Sequence, residues 1–152
     1  MIVVVHDANI LIDLQSANLL AAFFHLNFEN HTSDLVVDEI HQPLTVFIKS
    51  KRLRVKNWGG EELVELAIML ATQPRPISIQ DCSVLQMAKQ LGGILLTGDG
   101  NLRSCAEQAG VEVRGTLWIF DKLVESELLP RREAARLLEK LMVQGRRLPV
   151  EA

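Results

Sequence analysis

Short unbroken apolar runs alternate along this chain with stretches of helical spacing. Residues 2–5 (Ile-Val-Val-Val) form a continuous β-branched run, as expected of a strand buried on both faces of a parallel sheet. Helical spacing follows at once over residues 8–14 and again over 17–26, and a weaker strand is predicted at 28–31. Ser33 or Asp34 then stands where a helix cap belongs, ahead of Val36, Val37 and Ile40. The same spacing continues through Leu44, Phe47 and Ile48, and Pro43, which lacks an N–H, is expected to kink or divide that helix. Residues 53–55 read as a third strand. Residues 61–70 read as a helix whose acidic first turn suits the positive end of its dipole. After a loop at 74–76, Ser78 opens a helix that runs to about Leu91, where Gly92-Gly93 ends it. A strand at 94–97, a helix at 102–109, a strand at 111–113 and the helices Thr116–Glu125 and Arg131–Val143 complete the chain.

Five strands separated by helical crossovers predict an α/β fold, a mostly parallel five-stranded sheet flanked by helices with right-handed connections. No repeat, low-complexity linker or composition break divides the chain, so residues 1–152 are read as a single domain. An apolar content of 48% against 23% charged residues is that of a folded globular chain. With five Phe, two Trp and no Tyr, its core must be mainly aliphatic. A net charge of −3 gives no global pull toward nucleic acid, so a polyanion would be held by local basic patches, by bound cations, or by both. Cys82 and Cys105, with no CxxC pairing, are expected to be reduced packed thiols. The opening MIVVVHDANI lacks a basic n-region, and no later window approaches the roughly 18 apolar residues of a membrane span. The expectation is a cytoplasmic protein with no membrane association.

In an open parallel sheet, functional groups gather at the carboxyl ends of the strands, where the strand order switches. Four acids stand near such positions. Asp7 follows the first strand, Asp99 follows the 94–97 strand, Asp81 sits in the first turn of the Ser78 helix, and Glu39 lies on the helix after the second strand. Each also has a structural reading: Asp7 and Asp99 as N-caps, Asp81 as the acid of a capping box with Ser78, Glu39 as a solvated helix position. If the four converge, their mutual repulsion raises their pKa values until a hard divalent cation compensates them. Mg2+ or Mn2+ takes oxygen ligands and keeps several waters, which suits phosphodiester hydrolysis.

Two stretches carry a family resemblance. VVVHDANILIDL resembles the opening of PIN domains, in which a strand delivers an Asp followed two residues later by Asn, Ser or Thr, here Asp7 and Asn9. ISIQDCSVLQMAKQLGGILLTGDGNLR resembles their second half, supplying Asp81, Thr97 and Asp99, and the order of strands and helices agrees from residue 2 to about 113. The closing LLPRREAARLLEKL is similar to the tail of one branch of small prokaryotic PIN proteins. The resemblance implies a Rossmann-like sheet, an acidic pocket for Mg2+ or Mn2+, and endonucleolytic cleavage of RNA. It also implies a VapC-like toxin with an antitoxin partner, and a homodimer. Carried over by residue, it makes Asp7, Asp81 and Asp99 metal-binding acids and Asn9 and Thr97 their polar helpers. The remaining acid falls on Glu39 or on its neighbour Asp38, and Glu39 is the choice here.

Lys49, Lys51, Arg52, Arg54 and Lys56 place five positive charges within eight residues. They read either as a solvated helix end running into a lysine-guarded edge strand, or as a patch that tracks phosphates. Lys51, Arg52, Arg54 and Arg103 are the candidates for substrate phosphate, whereas Arg146 and Arg147 are expected to face solvent. Histidines 6, 25, 31 and 41 show no zinc-ligand spacing, and His6 is expected on the other face of the sheet from Asp7. Trp58, Trp118 and the apolar 19–24 segment read as packing, the Trp118 helix also as a dimer contact and the 19–24 segment also as a surface for an antitoxin segment. The alternative function is a PIN-like module that binds RNA or protein without catalysis. A nucleotide-binding or phosphatase reading lacks its motifs, since neither GxxxxGK[ST] nor GxGxxG is present and Asn9 replaces the second acid of a DxD pair.

Overall fold

Val4 and Val5 are fully buried because β1 (Ile2–His6) is the middle strand of the sheet. In the computed structural model, which describes residues 1–143, β1 pairs in parallel with β2 (Phe28–Ser33) on one side and β4 (Ile94–Leu96) on the other. The edges are β3 (Leu53–Lys56), beside β2, and β5 (Val113–Arg114), beside β4, giving the order β3-β2-β1-β4-β5 with every pair parallel. The five parallel strands expected from the pattern are present, and β3 is the edge strand that its lysines suggested.

The helices follow the predicted order. Asp7 caps α1 (Ala8–Ser16), and Asn18 at φ 58° breaks the chain before α2 (Leu20–His25), so the second helix is shorter than its apolar spacing suggested. Ser33, of the two residues proposed, caps α3 (Asp34–Val37). That helix is a single turn: Glu39 N and Ile40 N bond three residues back, to Val36 and Val37, and this tightening ends it. Glu39 therefore lies in the turn after α3 rather than on a helix, a correction to the sequence reading. Beyond Pro43, α4 (Thr45–Lys49) forms separately. α5 (Glu61–Ala71) and α6 (Ile79–Leu91) lead back across the sheet to β4. α7 (Gly100–Gln108) starts two residues earlier than its periodicity indicated because Asp99 caps it. α8 (Thr116–Glu125) and α9 (Arg131–Val143) have the predicted bounds.

α6 packs on β1, β2 and β4 with α3, α5 and α7 around it, while α2 joins α1 to α8 and α8 meets α9. The core is aliphatic, with a small aromatic group in which Phe23 stacks on Phe28 and Phe24 meets Phe47 edge-on. Leu19, Leu20, Phe23 and Phe24 are buried in it, and so are Trp58 and both free cysteines. Gly92 ends α6 in the left-handed conformation (φ 62°). A Cβ on Gly93 would stand 2.9 Å from the Val3 carbonyl oxygen, so only glycine lets the chain enter β4 so close to β1. No helix among the described residues is long and apolar enough to cross a membrane.

Candidate active site at the switch between β1 and β4

The chain leaves β1 outward to β2 and β3, then returns to lay β4 on the other side, so the strand order reverses between β1 and β4. The carboxyl ends of these two strands carry Asp7 and the Thr97–Asp99 turn. Asp7 is buried and fully engaged: one carboxylate oxygen accepts from Ile10 N (2.9 Å) and the other from the Thr97 hydroxyl. Thr97 in turn accepts from Asp99 N at 3.0 Å, linking the two strand ends through one hydroxyl. Asp99 caps α7 by accepting from Asn101 N (2.8 Å) and Leu102 N (3.0 Å). Asp81 completes a capping box, Ser78 N donating to its carboxylate at 3.1 Å and Ser78 Oγ accepting from Asp81 N at 3.0 Å.

The structural readings of these three acids are therefore all correct, yet capping is not all they do. Burial pushes the Asp7 carboxyl up to about 7 against the pull of Thr97 and Ile10, and the charges of Asp81 and Asp99 push it further. Asp81 is raised by burial and by Asp99, and Glu39 by burial and by Asp81. Asp81 and Asp99 thus act on Asp7, Asp99 acts on Asp81, and the exposed Glu39 is coupled to this group through Asp81 alone. Among the described residues none of the four is in an ion pair; the salt bridges lie elsewhere.

The donor set is oxygen only and its charge is uncompensated, which fits a hard cation. Among the described residues no three His, Cys, Asp or Glu side chains enclose an ion by themselves. The fit is therefore to a hydrated Mg2+ or Mn2+, which needs only one or two protein carboxylates, rather than to a closed cage.

Asn9, the second residue of α1, is exposed two positions after Asp7. Arg103 is half-buried one helical turn after Asp99, its N–H bonded to the Asp99 carbonyl at 2.9 Å. The other candidate cations are not brought to the acids. Lys51 and Arg52 precede β3 and so stand at the amino edge of a parallel sheet, opposite the edge that carries Asp7. Arg54 pairs with Glu29 at 3.3 Å, and Lys56 pairs with Glu62 at 2.8 Å and lies over Trp58. Arg146 and Arg147 lie outside the described residues.

A polar layer beneath Asp7 escaped the sequence reading. His6 is fully buried on the other face of the strand from Asp7. Its Nε2 meets Asn30 Oδ1 at 2.8 Å, and its ring packs edge-on against Phe23 and Phe24. Thr32 Oγ donates to the His6 carbonyl at 2.8 Å. The available signal was the pair of inward polar residues, Asn30 and Thr32, two apart in an otherwise unremarkable strand.

A PIN-domain family model, DUF3368, matches residues 3–152. No curated protein matches the chain. Matching solved structures include VapBC-1 from nontypeable Haemophilus influenzae, 19% identical over 75% of this chain and 98% of that one, with a TM-score of 0.48. Another is VapBC2 from Rickettsia felis bound to a DNA fragment from their promoter, 15% identical over 75% and 98% of the two chains, with a TM-score of 0.48.

Proposed function

We propose, on the premise that this chain belongs to the PIN-domain family, that it is a metal-dependent endoribonuclease working at the β1–β4 switch. One observation carries the reading: Asp7, Asp81 and Glu39 are each raised by burial and by a neighbouring acid of the group, Asp99 is among the charges that raise Asp7 and Asp81, and among the described residues no cation pairs with any of the four. One or two of Asp7, Asp81, Asp99 and Glu39 would hold a hydrated Mg2+ or Mn2+ directly and the others would face its waters; when bound the ion polarises a phosphodiester and supplies hydroxide near neutral pH. Thr97 fixes the aim of Asp7, and Asn9 offers an exposed amide beside it to a phosphate oxygen. Arg103 is the nearby charge for the substrate backbone, while Lys51, Arg52 and Arg54 would meet only RNA that wraps toward β3. Without a cation, Asp7 holds a proton on its carboxylate below about pH 7.

The test is cleavage of a labelled total-RNA pool by wild type and Asp99→Asn, with Mn2+ and with EDTA. Asn keeps the helix cap while removing the charge. Cutting by metal-loaded wild type alone is the expected result; equal cutting by the folded variant, or cutting in EDTA, would sink the assignment.

The same reading makes the protein a cytoplasmic toxin held by an antitoxin, on the strength of the likeness of its closing helix to one branch of small PIN proteins. Its check is whether the product of a short neighbouring reading frame co-purifies with this chain and stops cleavage. A second reading, a non-catalytic RNA- or protein-binding module, draws support from the exposure of Glu39 and the lack of a closed cage. RNA affinity that survives EDTA, with no cleavage under any metal, would favour it.

A further inference from the structure

Asp7 is fixed by bonds to its carboxylate, to its own carbonyl, which accepts from Leu11 N at 3.4 Å, and to the peptide unit just before its side chain. The His6–Asp7 peptide donates its N–H to the Leu96 carbonyl of β4 at 3.1 Å and accepts, through the His6 carbonyl, from the Thr32 hydroxyl of β2 at 2.8 Å. A trans peptide points these two groups in opposite directions, so the unit is pinned across the sheet from both neighbouring strands. The β1–β2 ladder pairs Val5 with His31 and goes no further, so the Thr32 side chain acts where backbone pairing has stopped. Both residues are fully buried, and no water reaches the carbonyl to replace the hydroxyl. Two further bonds, from Ile10 N and Thr97 Oγ, hold the carboxylate itself. Of the two bonds on the peptide, the one to Leu96 is backbone to backbone, which leaves Thr32 as the one a side-chain substitution can remove.

We infer that Thr32 is a positioning residue of the site: its hydroxyl, bonded to the peptide before Asp7, sets the direction in which the Asp7 carboxylate enters the crevice. The inference rests on the ribonuclease reading for its kinetic test, but not for its binding test. Loss of this bond lets the β1 end rotate away from β2, and small errors of aim at a reacting centre are costly in rate.

The experiment compares wild type, Thr32→Val and Thr32→Ser for kcat and KM on a short labelled RNA with Mn2+, and for Mn2+ affinity without RNA. Val has the shape of Thr without the donor; Ser keeps the donor. Expected are a kcat for Thr32→Val lowered at least about tenfold at unchanged KM, weaker Mn2+ binding, and recovery of both in Thr32→Ser. A Thr32→Val protein that cuts and binds like wild type overturns the inference, as does equal impairment of the Val and Ser variants, which would mark a packing role. Should wild type cut no RNA, the ribonuclease reading fails and Mn2+ affinity alone decides by the same pattern. If Thr32→Val does not fold, Thr32→Ala leaves the same carbonyl without a donor and is read in its place.

Discussion

Asp7 caps a helix and also carries a charge in a buried, acid-rich crevice; the first role stabilises the fold and the second opposes it. Its carboxyl rises from 3.8 to about 7 on folding, so between those values the folded state binds the extra proton. Stability from this group is fully present below about pH 4 and is lost as pH rises through 7. Asp7→Asn keeps the cap and removes the charge. At pH 8 without metal, urea unfolding should show the variant more stable by roughly 1–3 kcal/mol, while in a separate assay with Mn2+ its RNA cleavage disappears. A variant less stable than wild type at that pH would mean that the buried charge costs nothing.

His6 runs the other way. Burial among Phe23 and Phe24 lowers its imidazole from 6.5 to about 4, so its contribution is present above 6.5 and lost as pH falls toward 4. By NMR its ring proton shifts should stay flat from about pH 8 to 5.5, where an exposed histidine titrates. At this scale the places of Asp7, Asn9, Thr97 and Asp99 were legible because D-x-N and TGD attach to strand ends that the sequence also marks, and that of Asp81 because Ser78 with an acid three residues on marks a helix start. Thr32 and Asn30 were legible only as two polar residues two apart in a strand, since that spacing does not name the partners they find. The basic cluster was legible as a cluster but not in its direction, because which edge of a sheet a residue faces depends on the strand it precedes.

The elements that carry the site are capped by the residues that form it. Ser78→Ala removes one half of the capping box and should cost about 1 kcal/mol in unfolding free energy. It leaves the Ser78 N–H on the Asp81 carboxylate but loosens the first turn that carries this acid, so Mn2+ affinity should fall with it; stability loss with unchanged affinity would separate Asp81 from the site. The approach of Gly93 to β1 makes a second prediction. Gly93→Ala brings a methyl against Val3 Cγ1 and the Val3 carbonyl, and denaturant unfolding should show a loss of ~1–3 kcal/mol. Strands and long helices were readable from periodicity alone. The one-turn α3 was not, because continuous spacing from Val36 to Ile48 conceals three-residue-back bonds that stop the helix well before Pro43.

Across the whole molecule, α5 is the element the fold leaves unfinished. Leu66 faces the core, yet Val64 (60% exposed) and Ile68 (64% exposed) stand on its opposite side with Ala71, so the helix is apolar nearly all round beyond its acidic first turn. Such helices are normally covered. The resemblance to PIN domains implies a homodimer, and the exposed face of α5 is the surface on which to test for one. Ile68→Glu should turn a dimer into a monomer by light scattering while leaving the circular dichroism spectrum unchanged. A dimer that persists would place the contact elsewhere.

The central claim is that Asp7, Asp81, Asp99 and Glu39 serve one cation. Titration of Mn2+ into wild type, Asp7→Asn and Asp99→Asn, with free Mn2+ read by electron paramagnetic resonance, tests it without needing the RNA target. Binding by wild type that weakens at least about tenfold in each folded variant is the predicted result. Binding that is unchanged in both variants, or absent from folded wild type, would contradict it and leave Asp7, Asp81 and Asp99 as helix-capping acids that happen to lie close together.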